Sequence, residues 1–284
     1  MDKAPSAIDI VAKKSNEIIK IEDGDYYGDD GLLYCGKCHT KKQFRDMHFR
    51  IGNVTMCLCQ CEIEAREREK DARKQVELAD KIKKYRAVGF PKEEREEMEK
   101  WNFANDNGKQ PKLIQSMLKY VENFPKYRAD GKGLLLYGDT GVGKSYAAMC
   151  VANALLDKGI PVMVTNFSRI EKTVFGMSEG RQEYFDGLNN FPLLILDDLG
   201  EERKTEYMGE IVYNVIDSRE RAKLPVIITT NLTKEELENP ADMTYKRIFS
   251  RIFGNCIPIK VEGKDQRKQR LIAEYGSMRD ELGL

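Results

Sequence analysis

Eight consecutive residues constrain this chain more than any others. Gly138-Asp139-Thr140-Gly141-Val142-Gly143-Lys144-Ser145 matches G-x-x-x-x-G-K-[ST] in full. Glycines in that pattern let the backbone turn its N–H groups inward around phosphates, and the N-terminus of a following helix adds a favourable dipole. Lys144 then reaches the β- and γ-phosphates, and Ser145 ligates Mg²⁺. The bland alternative is a glycine-rich turn with an exposed lysine. The context argues against it: residues 133–137 read as a strand before the loop, and residues 146–156, opening with Tyr146, read as a helix after it.

Beyond Gly131 the pattern is one of short apolar runs, at 134–137, 162–165, 193–196, 226–230 and 257–261, separated by helical stretches. Buried strands alternating with helices imply a parallel sheet covered on both faces. Three further features fall at the ends of those runs or beyond them. Phe191-Pro-Leu-Leu-Ile-Leu-Asp197-Asp198 is an apolar strand whose end projects Asp197 towards the metal on Ser145, with Asp198 placed to polarise an attacking water. Read alone, it is equally a strand ending in an acidic turn. Val226-Ile-Ile-Thr-Thr-Asn231 is a second buried strand with a polar tip. In a parallel sheet the strand C-termini face the ligand crevice, so Asn231 either holds the water or γ-phosphate beside Asp198 or N-caps the helix near Thr233. Arg247 and Arg251 share one helix face at i and i+4. They either lend a guanidinium to a neighbour's γ-phosphate or are surface arginines bridged to carboxylates.

The N-terminal part has a different chemistry. Five of the seven cysteines lie within Cys35-Gly-Lys-Cys38 and Cys57-Leu-Cys59-Gln-Cys61. Close spacing of this kind points to metal rather than to a disulfide scaffold. Four-coordinate zinc needs four of Cys35, Cys38, Cys57, Cys59 and Cys61, with His39 left out; the spacing does not choose among the last three. The alternative is a set of reduced, half-buried thiols. Cys150 and Cys256 read as core residues. An amphipathic helix is expected over 7–21, a short apolar hairpin at Phe49, Ile51 and Val54, a long charged helix over 62–88 ending at Gly89-Phe90-Pro91, and a polar connector over 93–108 with Trp101 and Phe103 as an aromatic patch. The charged helix is either an arm between the zinc module and the rest or a solvated spacer.

Composition excludes more than it proposes. The 284 residues carry 47 basic and 47 acidic side chains, so a polycation that coats DNA is not expected. No apolar run approaches the roughly 20 residues that span a bilayer, and the N-terminus lacks the apolar stretch of a signal peptide. A cytoplasmic protein with no membrane partner is the expectation.

Taken together, the P-loop, the Leu-Asp-Asp strand end, the Thr-Thr-Asn tip and the Ser250-Arg251 helix resemble the AAA+ replicative-helicase loaders of the DnaC/DnaI type. Phage and mobile-element forms with an N-terminal cysteine cluster are the nearest likeness. Gly-Leu-Leu-Leu-Tyr-Gly-Asp-Thr-Gly-Val-Gly-Lys-Ser-Tyr and Val-Thr-Asn-Phe-Ser-Arg carry it most specifically. The resemblance implies an α/β P-loop AAA+ core with a five-stranded parallel sheet and a reduced lid, since residues 262–284 leave room for two helices at most. It implies ATP, Mg²⁺ and Zn²⁺ as cofactors, and slow hydrolysis between adjacent subunits, because Asp198 stands where most AAA+ proteins carry Glu. Arg251 becomes the trans-acting finger and Arg247 the reserve. The implied partners are a hexameric replicative helicase, single-stranded DNA and further copies of the chain. The expected domains are a helicase-binding zinc module over 1–62, a charged arm and linker over 63–110, and the ATPase over 111–284. DNA contacts are sought in 168–190, where Arg169, Lys172, Phe175, Arg181 and Tyr184 mix charge with aromatics, as single strands favour and as ordinary amphipathic helices also do. The basic run 264–270 meets nucleotide or DNA, or is a solvated helix. A transposition-helper ATPase of the IstB kind, acting on duplex DNA, is the main alternative; a zinc-bearing adaptor switched by ATP is another.

Overall fold

Two small antiparallel pairs open the described part of the chain. β1 (Tyr26–Tyr27) pairs with β2 (Leu33–Tyr34), and β3 (Gln43–Arg45) pairs with β4 (Val54–Met56). The computed structural model describes residues 21–45, 54–202 and 205–283, and divides the chain into two units, Met1–Leu78 and Ala79–Leu284. The helix expected over 7–21 lies, Ile21 apart, outside the described residues, as do Phe49 and Ile51 of the expected hairpin; Val54 opens β4 and is exposed.

α1 (Gln60–Gly89) is the long charged helix, and Gly89 is its only buried residue. A helix polar on all sides is held by propensity and i,i+4 pairs rather than by a packed face. Arg73 and Glu77 form one such pair, at 3.2 Å. The division between the units falls inside this helix, after Leu78.

The second unit holds the sheet. Its helices are α2 (Arg95–Met98), α3 (Pro111–Glu122), α4 (Phe124–Ala129), α5 (Lys144–Asp157), α6 (Phe167–Phe175), α7 (Arg181–Leu188), α8 (Glu206–Arg221), α9 (Lys234–Glu238), α10 (Met243–Asn255) and α11 (Gln266–Leu282). Its strands are β5 (Gly133–Tyr137), β6 (Val162–Thr165), β7 (Leu193–Leu199), β8 (Val226–Thr230) and β9 (Cys256–Lys260), all parallel, in the order β6-β7-β8-β5-β9. Side chains on a strand alternate between faces, and here the alternation sorts the core in two. Leu134, Leu136, Leu193, Ile195 and Ile227 join α3 and α5 on one face, whereas Leu135, Leu194, Leu196, Val226 and Ile228 meet α6, α7, α8 and α10 on the other. Covering both faces is what makes these strands read as continuous apolar runs. Cys150 and Cys256 are buried in this core.

The polar connector departs from expectation. It carries α2 and a 3₁₀ turn, Phe103–Asn105, and belongs with the second unit. Phe90 and Met98 are buried, with Trp101 and Phe103 packed against the same core. Asn153 on α5 ties the segment down, its Nδ2 donating to the carbonyls of Met98 (2.8 Å) and Trp101 (2.9 Å). A few long-range contacts decide this, and no periodicity announces them. After β9 the described residues form one helix, α11. Among the described residues no helix is long and apolar enough to cross a membrane.

Candidate functional site

The loop between β5 and α5 is shaped by glycine. Gly138 has φ 145°, and a Cβ there would overlap the Val261 carbonyl oxygen; Gly143, at φ 103°, caps α5. Positive φ at both positions strongly favours glycine over residues that carry a Cβ. Val142 points into the core, and its carbonyl accepts from Gln110 Nε2 at 3.2 Å. Thr140, Gly141, Gly143, Lys144, Ser145 and Tyr146 instead line a cleft of about 740 Å³.

Lys144 is nearly buried, and its ammonium donates to the carbonyls of Gly138 (2.9 Å) and Asp139 (2.7 Å) and to Asn231 Oδ1 (2.7 Å). Burial lowers its pKa, against the opposing pull of Asp198 and Asp197. Three neutral acceptors thus hold a cation in place at the edge of the cleft.

The two acids sit on a broken ladder. Leu196 pairs with Ile228 and Leu199 with Thr230, so β7 carries one residue more than β8 across this step. Regular alternation would send Asp197 and Asp198 to opposite faces; the extra residue, with Asp198 at φ 57°, re-aims the pair. Thr229 on β8 fixes both, its Oγ1 donating to Asp197 Oδ1 at 2.6 Å and accepting from the Asp198 N–H at 2.9 Å. Burial, then the neighbouring Asp197 and Glu201, push the Asp198 carboxyl up to about 6. Asn231 bridges the cleft floor, donating through Nδ2 to Glu201 Oε1 at 2.7 Å while its Oδ1 holds Lys144. The N-cap of α9 is Thr233, with a full capping box to Glu236, so Asn231 does not serve there.

Several lining residues escape reading from the sequence. Glu94, Glu97 and Trp101 form one wall, and Gln266 and Arg267 at the start of α11 form another. Tyr146 donates to the Asn102 carbonyl at 2.8 Å and sits 6.4 Å from Trp101, ring to ring, which closes the first wall onto α5. The Gln266 N–H donates to the Gly141 carbonyl at 2.9 Å, seating α11 on the loop itself. The aromatic patch was the available signal for the first wall. Glu201 and Thr229 gave none, being an acid in a turn and a hydroxyl inside a strand.

Arg247 and Arg251 part company despite their spacing. Arg247 is exposed. Arg251 turns to α8, where Asp217 Oδ1 lies 2.9 Å away, Glu220 pairs with its other amino group, and the Tyr213 hydroxyl accepts at 2.9 Å beneath a cation–π contact. In the candidate DNA segment, Lys172, Phe175 and Arg181 are exposed, Tyr184 packs against the core, and Arg169 pairs with Glu94.

In the first unit Cys35, Cys38, Cys59 and Cys61 come together, with all four sulfurs within 4.8 Å of one another. Cys57 is not in the group; its Sγ faces the Lys41 carbonyl at 3.5 Å. His39 is exposed and its Nδ1 meets the Tyr26 hydroxyl at 3.2 Å. Tetrahedral zinc with bonds of about 2.3 Å needs sulfurs at such separations. A hydrogen bond from Thr40 pulls the Cys38 thiol down to about 5, while burial pushes the Cys59 thiol up. Four thiols crowded together cannot all ionise without a cation among them. The donor set therefore fits zinc.

Comparison with known proteins now has a geometry to rest on. The chain is 29% identical over 168 residues to the replicative helicase loader DnaI of Bacillus subtilis (strain 168), spanning 54% of either chain. It is 26% identical over 173 residues to the replicative helicase loader DnaC of Escherichia coli (strain K12), spanning 58% of this chain and 67% of that one. The chain thus covers about half the length of the first of these relatives. A crystal structure of DnaI superposes with a TM-score of 0.50 at 23% identity, over 63% of this chain and 95% of that one, and shares the fold. A family model described as "IstB-like ATP binding protein" matches residues 62–273. A P-loop AAA+ sheet with its phosphate loop, Asp198 and the polar strand tip Asn231 lining one cleft, and Asp197 held beside them by Thr229, agrees with that match, and the chain belongs to the IstB-like ATP-binding family.

Proposed function

We propose that this protein is an ATP-dependent loader that places a hexameric replicative helicase on single-stranded DNA. The observation that carries the reading is the likeness to DnaI and DnaC, beside a family match over residues 62–273 that includes the residues of the cleft from Glu94 to Arg267. ATP occupies the cleft with its triphosphate against the loop amides of residues 138–145. Lys144 leaves its carbonyl partners for the phosphates, and Ser145 and Asp197 are the residues that would hold Mg²⁺. Mg²⁺ when bound neutralises charge on the transferred phosphoryl group. Asp198 polarises the attacking water, and Asn231, already bonded to Lys144, positions it. Hydrolysis is slow, since the aspartate side chain is one methylene shorter than a glutamate.

Arg251 acts from the adjacent subunit, which requires that it leave Asp217 and Glu220; Arg247 is the reserve. Zinc on Cys35, Cys38, Cys59 and Cys61 folds an N-terminal module, too small for a core of its own, that grips the helicase. Exposed Lys172, Phe175 and Arg181 supply the charge and stacking surface for single-stranded DNA.

The test is a loading assay with a purified replicative helicase ring and a closed single-stranded DNA circle. ATP should raise the number of rings retained on the circle, and Lys144→Ala should remove the gain. Absence of any ATP-dependent contact with the ring would overturn the reading. Preference for duplex DNA, with filaments formed in ATP, would instead favour the transposition-helper alternative.

A further inference from the structure

Beneath the cysteine cluster lies an ion-paired lysine that the thiols alone do not require. Lys42 is 1% exposed, and its ammonium sits 2.9 Å from Asp25 Oδ2, itself 2% exposed, and 3.6 Å from Glu62 Oε1. Each carboxylate has a second engagement. Asp25 Oδ1 accepts the Gly36 N–H at 3.1 Å, within the loop Cys35-Gly36-Lys37-Cys38. Glu62 Oε2 accepts the Cys59 N–H at 3.0 Å, at the start of Cys59-Gln60-Cys61. The lysine backbone runs between the same two regions, its N–H donating to the Leu33 carbonyl and its carbonyl accepting from the Cys57 N–H, both at 2.8 Å.

The geometry points to Lys42 as a positioning residue for the metal, a buried clamp whose one ammonium holds both ligand loops through Asp25 and Glu62. A buried ammonium is tolerated only where it is paired, and this one is paired to two carboxylates that belong to different halves of the ligand set. Its charge has a second use. A zinc ion with four thiolates carries two net negative charges, and two carboxylates beside it add more; a buried cation offsets that repulsion. Outer partners of this kind hold first ligands in place, and their loss typically weakens metal binding by about 10- to 100-fold.

This inference rests on the zinc reading proposed above, and the experiment separates the two. The full chain is loaded with zinc and titrated against a chromophoric chelator, and its cobalt derivative is followed by the visible absorption of a tetrahedral thiolate site. The parent protein and Cys57→Ser should both bind one ion with the same affinity. Lys42→Met, close in volume and without charge, should bind about tenfold or more weakly, with a shifted cobalt spectrum; Lys42→Arg should recover part of the loss. If Lys42→Met disturbs folding of the first unit, Asp25→Asn and Glu62→Gln each loosen one arm while Lys42 remains. Combining Asp25→Asn with Lys42→Met should then cost no more than Lys42→Met alone, because both remove one linkage. Parental affinity in Lys42→Met, or fully additive losses in the double variant, overturns the clamp and leaves the zinc site standing. A parent chain that binds no zinc overturns both.

Discussion

Lys144 Nζ lies 2.7 Å from Asn231 Oδ1, so the first residue of α5 and the tip of β8 share a hydrogen bond across the floor of the cleft. The bond exists because β8 lies between β5 and β7 in the sheet, which sets its end directly beside the phosphate loop. Removing the lysine and removing the asparagine should therefore have different effects. Lys144→Ala deletes the cation that faces the phosphates and should weaken ATP binding by about 100-fold or more, at about 1.5–3 kcal/mol for each charge-assisted bond lost. Asn231→Ala should leave binding within about tenfold and lower turnover. Titration with a fluorescent ATP analogue, beside phosphate release, separates the two; equal binding in Lys144→Ala would sink the site.

In its proposed role, Asp198 with its raised pKa should give turnover a pH dependence. Below about 6 the carboxyl carries its proton and cannot polarise water, so phosphate release should climb through pH 6 and level off above it. Asp198→Asn should remove this limb along with most of the activity. Stability runs the other way. The folded protein binds this proton more tightly than the unfolded chain, whose value is about 4, so ionisation costs stability progressively between pH 4 and 6 and fully above 6. Asp198→Asn should then raise Tm at pH 8 and leave it nearly unchanged at pH 4, as calorimetry at the two pH values would show.

Arg219 on α8 is a buried guanidinium, 1% exposed, that donates to the carbonyls of Leu188, Phe191 and Pro225 and meets no carboxylate among the described residues. Burial pushes its pKa down to about 9. Its work is to satisfy the C-terminal end of α7, the approach to β7 and the turn into β8. Arg219→Ala should strand those carbonyls beside a cavity and cost about 3 kcal/mol or more. Urea denaturation should show the midpoint falling with an unchanged slope; a loss under 1 kcal/mol would contradict the reading.

A finger that works between subunits can be tested by mixing. Lys144→Ala subunits keep Arg251 but lose their own site, and Arg251→Ala subunits keep the site but lose the finger. Each alone should be inactive, and the mixture should regain part of the parental turnover. Failure to complement, with both variants folded, would return Arg251 to the structural role its contacts with Asp217 and Tyr213 already describe.

Local chemistry was enough to predict the phosphate loop and the strands and helix that flank it. A glycine-rich turn with lysine and serine, short apolar runs of strand length, and acids at a strand end each depend on residues adjacent in sequence, so adjacency in sequence was informative. Other features depend on which segments meet in space. Cys57 looked as good a ligand as Cys59, and only the positions of the two ligand loops put its sulfur against a backbone carbonyl instead. The i,i+4 pairing of Arg247 and Arg251 says nothing of Asp217, which lies on another helix. The segment over 93–108 reads as a polar connector with one aromatic patch until Asn153 anchors it beside the cleft. Sequence by itself determined the glycine-shaped phosphate loop and the apolar runs that build a two-faced sheet. Tertiary structure alone decided which charges are paired, which thiols converge and what walls the cleft, because those depend on distances between residues that the chain holds far apart.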